Sequence, residues 1–309
     1  MIYRILYKVA LVTGLVGFAG NLHAQSIGST VAVTDPLGTS FFQNQYLANP
    51  AMAGIDSGLH LNMAYRRQWN DMPEGPETKA FTADAYIGKR IGGGVSVYKD
   101  HAGLLDRTRV ALTYAYHLPL NNRGDQSLHF GLSAALQTYR LDTKGLNGDP
   151  DDPSIGQFNR RDNYFEGDFG MSYTGHQLTV QAALPGMVGF LKDNDEEITG
   201  RATFFSAVSY RILTGMQINY IEPKVCYRGV KGGNGIVDVG ANVSMFNNMA
   251  NVFALYHTSK AFTAGVGYSI KHIVTLQAMY QWQSGGFKNY SDGNFEIGLT
   301  VDLFRSKLY

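Results

Sequence analysis

The chain has 309 residues, with 26 Lys+Arg against 25 Asp+Glu, 17% charged residues, 36 glycines and a mean hydropathy of −0.15. Beyond one short stretch at its start, no apolar run approaches the roughly 18 residues that a membrane-spanning helix needs, which excludes a helical membrane protein. A pI near 7.8 leaves no basic face for nucleic acid, so a glycine-rich, aromatic-rich, charge-poor chain is either a secreted β-sandwich or an outer-membrane β-barrel.

The first 24 residues read as an export signal. Arg4 and Lys8 precede a mostly apolar or small stretch over residues 9–20, and Leu22-His23-Ala24 forms a small-residue cleavage site before Gln25. Removing residues 1–24 takes two positive charges and turns the formal charge from +1 to −1. The single cysteine, Cys226, can neither pair within the chain nor serve as an acylated first residue. It reads as a strand residue, and stability has to come from something other than disulfides.

From Gly58 onward the chain repeats period-two alternation broken by Gly, Asn, Asp and Pro clusters, the signature of strands and turns. Val110, Leu112, Tyr114, Tyr116 and Leu118 oppose Arg109, Thr113 and His117; Leu128, Phe130, Leu132, Ala134 and Leu136 oppose His129, Ser133 and Gln137. The last stretch is the clearest, with Phe295, Ile297, Leu299, Val301 and Leu303 opposing Glu296, Gly298, Thr300 and Asp302. Each strand has one apolar and one polar face. About fourteen strands fit, at roughly 18 residues per strand and connection, enough for the ~9 to 11 residues that cross a bilayer.

Connection lengths separate barrel from sandwich, because outer-membrane barrels alternate short periplasmic turns with longer external loops. Short connections are predicted near residues 88–92, 119–126, 174–177, 213–215, 246–249 and 269–272. Longer ones are predicted near 69–77, 100–106, 140–162, 185–200, 228–234 and 284–293, with one short exception near 259–261. The sequence therefore predicts an all-β, antiparallel, up-and-down outer-membrane barrel of about 14 strands over residues 58–309. An N-terminal plug or periplasmic segment precedes it over residues 25–57. Tyr114, Tyr116, Tyr139, Tyr173, Tyr210, Tyr220, Tyr256, Tyr280 and Trp282 are predicted to form interfacial girdles near strand ends.

Motifs for catalysis, cofactors or metals do not assemble. The histidines lack metal-ligand spacing, the glycine-rich residues 88–94 and 229–235 lack the ending of a phosphate loop, and no Gly-x-Ser-x-Gly elbow occurs. The acidic runs at 149–153 and 193–197 fall in predicted loops and lack an EF-hand pattern. His117, His129 and Ser133 are predicted to face the lumen, where polar residues belong in any such barrel. The expectation is a protein that is not an enzyme and carries no cofactor.

Before the first strand stands Phe41-Phe42-Gln43-Asn44-Gln45-Tyr46-Leu47-Ala48-Asn49-Pro50-Ala51-Met52-Ala53-Gly54. The Asn-Pro pair and terminal glycine predict ordered turns, and the amides supply hydrogen bonds to a polar lumen or a partner. At Gln45-Tyr46-Leu47-Ala48-Asn49-Pro50-Ala51-Met52-Ala53-Gly54 the chain resembles the PorP/SprF family of Bacteroidota outer-membrane proteins, in which such an element follows the signal peptide. Tyr65-Arg66-Arg67-Gln68-Trp69 and the glycine-rich stretch from Gly92 to Asp100 are further family-like elements, and the final strand ending in Phe304 matches a barrel-insertion signal.

The resemblance implies a non-enzymatic role in type IX secretion. Its partners would be periplasmic ring proteins and a peptidoglycan-binding lipoprotein, or secreted cargo with C-terminal signal domains, alongside outer-membrane lipid and no nucleic acid. Fourteen strands enclose more lumen than wall side chains fill. Phe41, Phe42, Gln45, Tyr46, Asn49, Pro50 and Gly54 are therefore expected to form a plug or a partner site, with Arg66, Arg67, Gln68 and Trp69 near the outer mouth. The alternative reading is a channel for small hydrophobic molecules like the fatty-acid channel family, with an N-terminal hatch and an apolar pocket. An enzyme of the outer-membrane phospholipase kind would need a Ser-His pair within hydrogen-bond reach.

Overall fold

A computed structural model describes residues 36–69, 75–141, 163–187, 202–215, 217–230, 235–283 and 293–304. The expected export signal (residues 1–24), residues 25–35 and both acidic runs lie outside these described residues. A four-residue helix, α1 (Thr39–Phe42), and two 3-10 turns, Gln45–Leu47 and Pro50–Met52, precede the strands. The strands are β1 (Leu59–Gln68), β2 (Glu77–Gly88), β3 (Ile91–Ala102), β4 (Leu105–Pro119), β5 (Gln126–Leu141), β6 (Asn163–Gly175) and β7 (Leu178–Leu184). They continue as β8 (Ala202–Tyr210), β9 (Ile212–Gly215), β10 (Ile218–Val230), β11 (Ile236–Met245), β12 (Ala250–His257), β13 (Ala261–Ile270), β14 (Val274–Gln283) and β15 (Asn294–Leu303).

Neighbours in sequence pair antiparallel all the way round, and β1 pairs with β15, so the sheet closes into a barrel. Closure follows from the solvent: in hydrocarbon an unpaired N–H or C=O has no water to turn to, and a cylinder has no edge. The fifteen segments make fourteen staves, because β8 and β9 are one stave broken at Arg211. The partner β10 explains the break. Its ladder runs Ile221↔Ile212 and resumes at Lys224↔Ser209 with no change of register, and between them lies Pro223, which has no N–H to donate.

The alternation read from the sequence separates lipid from lumen. Val110, Leu112, Tyr114, Leu132, Leu136 and Phe165 are exposed on the outside, while Ala111, Thr113, Ala115, His117, His129, Ser133 and Gln137 are buried within. Polar and small residues make up most of the buried set, so the core of this protein is its lumen.

The short-connection end carries two-residue turns at Lys89-Arg90 and His176-Gln177, each residue with positive φ. That twist suits a hairpin even though neither turn uses the usual Asn-Gly. At the other end one expectation is corrected. Residues 100–106 are not a long loop: β3 runs to Ala102, β4 starts at Leu105, and Gly103 (φ 59) turns the chain between them. Extended pairing wins because Asp100↔Arg107 matches opposite charges across the ladder and His101 Nδ1 lies 2.9 Å from Asp106. Tyr139 is corrected too. It shares the lumen face with Gln137, whose amide donates to its hydroxyl at 2.6 Å, so it belongs to no lipid girdle.

Leu112 lies mid-strand on the lipid face. Leu112→Arg is expected to lower unfolding stability by about 2 to 4 kcal/mol, and Leu112→Ile by less than about 1.5, measured by tryptophan fluorescence during urea unfolding in lipid vesicles.

Candidate functional site: the lumen and its plug

The plug begins with α1, a helix too short to be stable alone. Glu296, buried on β15, accepts the N–H groups of Gly38 (2.8 Å) and Thr39 (3.0 Å), satisfying two donors that a helix start leaves open. Arg66 on β1 donates to the Pro36 carbonyl at 3.0 Å. Phe41 then points into an apolar cluster with Phe205, Cys226, Phe253, Leu255 and Met279, so Cys226 is a packed lumen-facing residue of β10. Lys224, fully buried one rung away, donates to the Phe41 carbonyl and to Gln45 Oε1 (3.2 Å), with Phe42 presenting its ring at 5.7 Å. Gln181 holds the same Gln45 oxygen from β7.

The Asn-Pro turn does the seating. Asn49 accepts the Ala51 N–H with its side-chain oxygen (3.0 Å), and Pro50 occupies the first helical position, where a missing N–H costs nothing. Asn49 also donates to the Met171 carbonyl on β6 at 3.2 Å. Tyr46 reaches across to Thr113 (2.7 Å), which is itself bonded to Ser133, and Asn44 donates to Thr82.

Under this turn the wall is unusually thin. Cross-strand register aligns Gly92, Ala115, Gly131, Gly170 and Ala183 in one rung across β3 to β7. A Cβ on Gly131 would lie 2.2 Å from the Pro50 carbonyl carbon, one on Gly170 2.1 Å from Asn49 Oδ1, and one on Gly92 2.1 Å from the Ala53 oxygen. The plug backbone rests directly on the wall backbone, which only a shelf of Gly and Ala permits. Gly54 ends the segment at φ +63, its N–H held by Asp84 at 2.8 Å.

The structure therefore brings Phe41, Phe42, Gln45, Tyr46, Asn49, Pro50 and Gly54 together with the lumen wall. It divides the second group. Arg66 and Gln68 face the lumen and are buried, Arg67 faces outward, and Trp69 sits at the end of β1 with φ 53. Sequence reasoning missed Asp84, Lys224 and Glu296 and the glycine shelf. A charge on the polar face of a strand marks the lumen, but carries no label for what it holds.

Ionic groups tie the remaining wall. Arg228 clamps Asp238 through two hydrogen bonds (2.8 and 3.0 Å), His257 Nδ1 donates to Asp238 at 2.6 Å, and His257 Nε2 meets Thr263 at 2.8 Å. These four residues stand on four consecutive staves, β10 to β13. The order Asp-His-Thr matches a hydrolase relay, but Asp238 is already committed to Arg228 and the Phe41 ring packs on His257 at 5.7 Å, so the chain works as a cross-tie. His117 and His129 meet at 2.8 Å below the plug, whereas Ser133 bonds Thr113 and neither histidine.

The shelf yields a direct test. Gly131→Leu is expected to cost the seated plug about 3 kcal/mol or more, because the obstructing atoms are backbone. In planar bilayers the wild-type protein is expected to stay closed and the variant to conduct, approaching the conductance of a protein lacking residues 36–57.

The family model described as type IX secretion system membrane protein PorP/SprF matches residues 30–301. Curated proteins give no match. Among solved structures the chain is similar to the Ralstonia pickettii toluene transporter TbuX (TM-score 0.52, 13% identity, 92% of this chain and 100% of that one). It is also similar to the CymD monoaromatic hydrocarbon channel (TM-score 0.50, 11% identity, 89% and 95%). The Acinetobacter baumannii outer membrane protein Omp33 follows at TM-score 0.45, 9% identity, 81% of this chain and 99% of that one. At such identities these structures share the barrel fold alone, whereas the family match spans nearly the whole chain: this outer-membrane β-barrel belongs to the PorP/SprF family of type IX secretion system membrane proteins.

Proposed function

We propose that this protein acts without catalysis, as a closed outer-membrane anchor of the type IX secretion system. It would link the membrane to periplasmic ring proteins and a peptidoglycan-binding lipoprotein, or hold secreted cargo. The observation that carries this reading is where the family-like motif goes. Residues 45–54 are spent on seating a plug against the wall, with their amides, tyrosine hydroxyl and backbone already bonded to lumen groups. A barrel filled this way has its rims left for partners, and rigid attachment suits a load-bearing link better than a conduit. Near-neutral charge fits as well, because recognition would then rest on shaped rims rather than on a strongly charged surface.

The runner-up is passage of small hydrophobic molecules, favoured by the likeness in fold to TbuX, a toluene transporter by its name. Against it stand the lumen side chains. The pocket between plug and wall mixes the apolar Pro36, Phe41 and Met279 with Arg66, His257 and Glu296, so buried charges interrupt the mostly apolar path that such solutes need.

One experiment separates the two. Tagged protein extracted in mild detergent is expected to bring down ring components and the peptidoglycan-binding lipoprotein, identified by mass spectrometry. Recovery of lipid alone, together with toluene uptake into liposomes bearing the protein, would overturn the anchor.

A further inference from the structure

The outside of the wall changes abruptly near its long-connection end. Across β1 to β5 one rung reads Met63, Phe81, Val97, Val110 and Leu136, an apolar belt. The next rung outward reads Tyr65, Lys79, Lys99, Thr108 and Thr138, and the one beyond it Arg67, Glu77, His101, Asp106 and Arg140. Four cations thus face outward within two rungs of the belt. The two acids among them are already taken: Glu77 accepts from Tyr65 (2.9 Å) and pairs with Lys79 (3.4 Å), and Asp106 lies 2.9 Å from His101. Arg67 stands opposite Glu77 and Arg140 opposite Asp106 on the ladder, but among the described residues neither they nor Lys99 closes an ion pair with a carboxylate, and Lys99 and Arg140 are exposed.

Followed the other way from Arg67, the same rung continues into Phe295 and Tyr280, with Trp282 and Phe262 paired just beyond. Rings settle at any membrane interface. Four cations against two acids at that depth leave positive charge for an anion to balance. Two rungs are four residues, about 13 Å along a strand and about 10 Å along the membrane normal at the usual strand tilt, which reaches the lipid headgroups, and long Lys and Arg stems run along the apolar wall while their charges reach outward. From Arg67 to Arg140 the sector crosses four interstrand gaps, about 19 Å, wider than one phosphate can bridge.

We propose that this sector of β1 to β5 binds a phosphorylated glycolipid of the outer leaflet, whose sugar frame carries two phosphates to Arg67, Lys99 and Arg140. Lys79 sits between them, and the Tyr65 ring offers a flat surface for a sugar. The barrel then has a preferred lipid-facing side, and its aromatic side stays free of bound headgroups.

Native mass spectrometry of the intact protein in detergent tests this with three probes: bisphosphorylated lipid A, the same lipid stripped of phosphate, and phosphatidylglycerol. Arg67→Gln, Lys99→Gln and Arg140→Gln are combined in one variant. A second variant, Lys89→Gln, Arg123→Gln and Lys271→Gln, makes the same charge change at the short-turn end. Wild type and the second variant are expected to retain bisphosphorylated lipid A equally, and the first variant to need about tenfold to hundredfold more lipid. Equal retention by both variants, or equal retention of the stripped lipid, would overturn the proposal. Phosphatidylglycerol displacing lipid A at equal concentration would overturn the assignment to a glycolipid.

Discussion

Everything in this molecule depends on the rule that a peptide group in hydrocarbon must be hydrogen-bonded within the protein. A helix meets the rule locally, but this sequence has no long apolar helix to offer among its described residues. Strands meet it only by pairing on both sides, so the sheet must close, and β1 must find β15 across more than two hundred residues of chain. Pro223, in the middle of β10, shows how strict the rule is. At Pro223 the ladder to the neighbouring stave opens, and β8 and β9 part at that point, while the register on both sides is kept.

Closure creates a second problem. Fourteen staves surround a space that their own side chains do not fill, and alternation has already assigned that space the polar residues. The chain solves it with its own N-terminal stretch. The plug has little secondary structure of its own to hold it, so its backbone groups are taken up by wall side chains: Glu296 at the start of α1, Asp84 at Gly54, Lys224 in between. Contact at the centre is backbone on backbone, over the rung of Gly and Ala. Buried charges such as Arg228 and Asp238 are tolerable there because each is chelated and passed on to a further hydrogen bond.

This construction shapes what the protein can do. A lumen crossed by ionic ties and occupied by a bonded plug is costly to open, which leaves the rims and the outer face as the surfaces open to partners in the proposed role. Near the long-connection end the outer face changes from cationic over β1 to β5 to aromatic over β13 to β15, so neighbouring sectors of the barrel differ in what they offer the membrane. In the anchor role proposed above, such a mark would fix which side of the barrel meets partners.

The barrel was largely legible in the residues. Period-two alternation at Val110 to Leu118 or Phe295 to Leu303 reports the two faces of a wall because a strand turns its side chains over at every residue. Connection lengths alternate because only one end of the barrel faces the periplasm. What could not be read was anything set by which stave lies opposite which. Gly92, Gly131 and Gly170 look like unrelated strand glycines until register puts them in one rung, and Tyr139 looks like a girdle tyrosine until the face is counted through Gln137. Residues 100–106 read as a loop because aspartates and a glycine break the alternation there, yet the pairing runs on to a two-residue turn. Local chemistry carries the solvent on each side of the wall, since burial acts on single residues. The seat of the plug, the ties across β10 to β13 and the cationic sector exist only in register, because each is assembled from residues that become neighbours when the sheet closes.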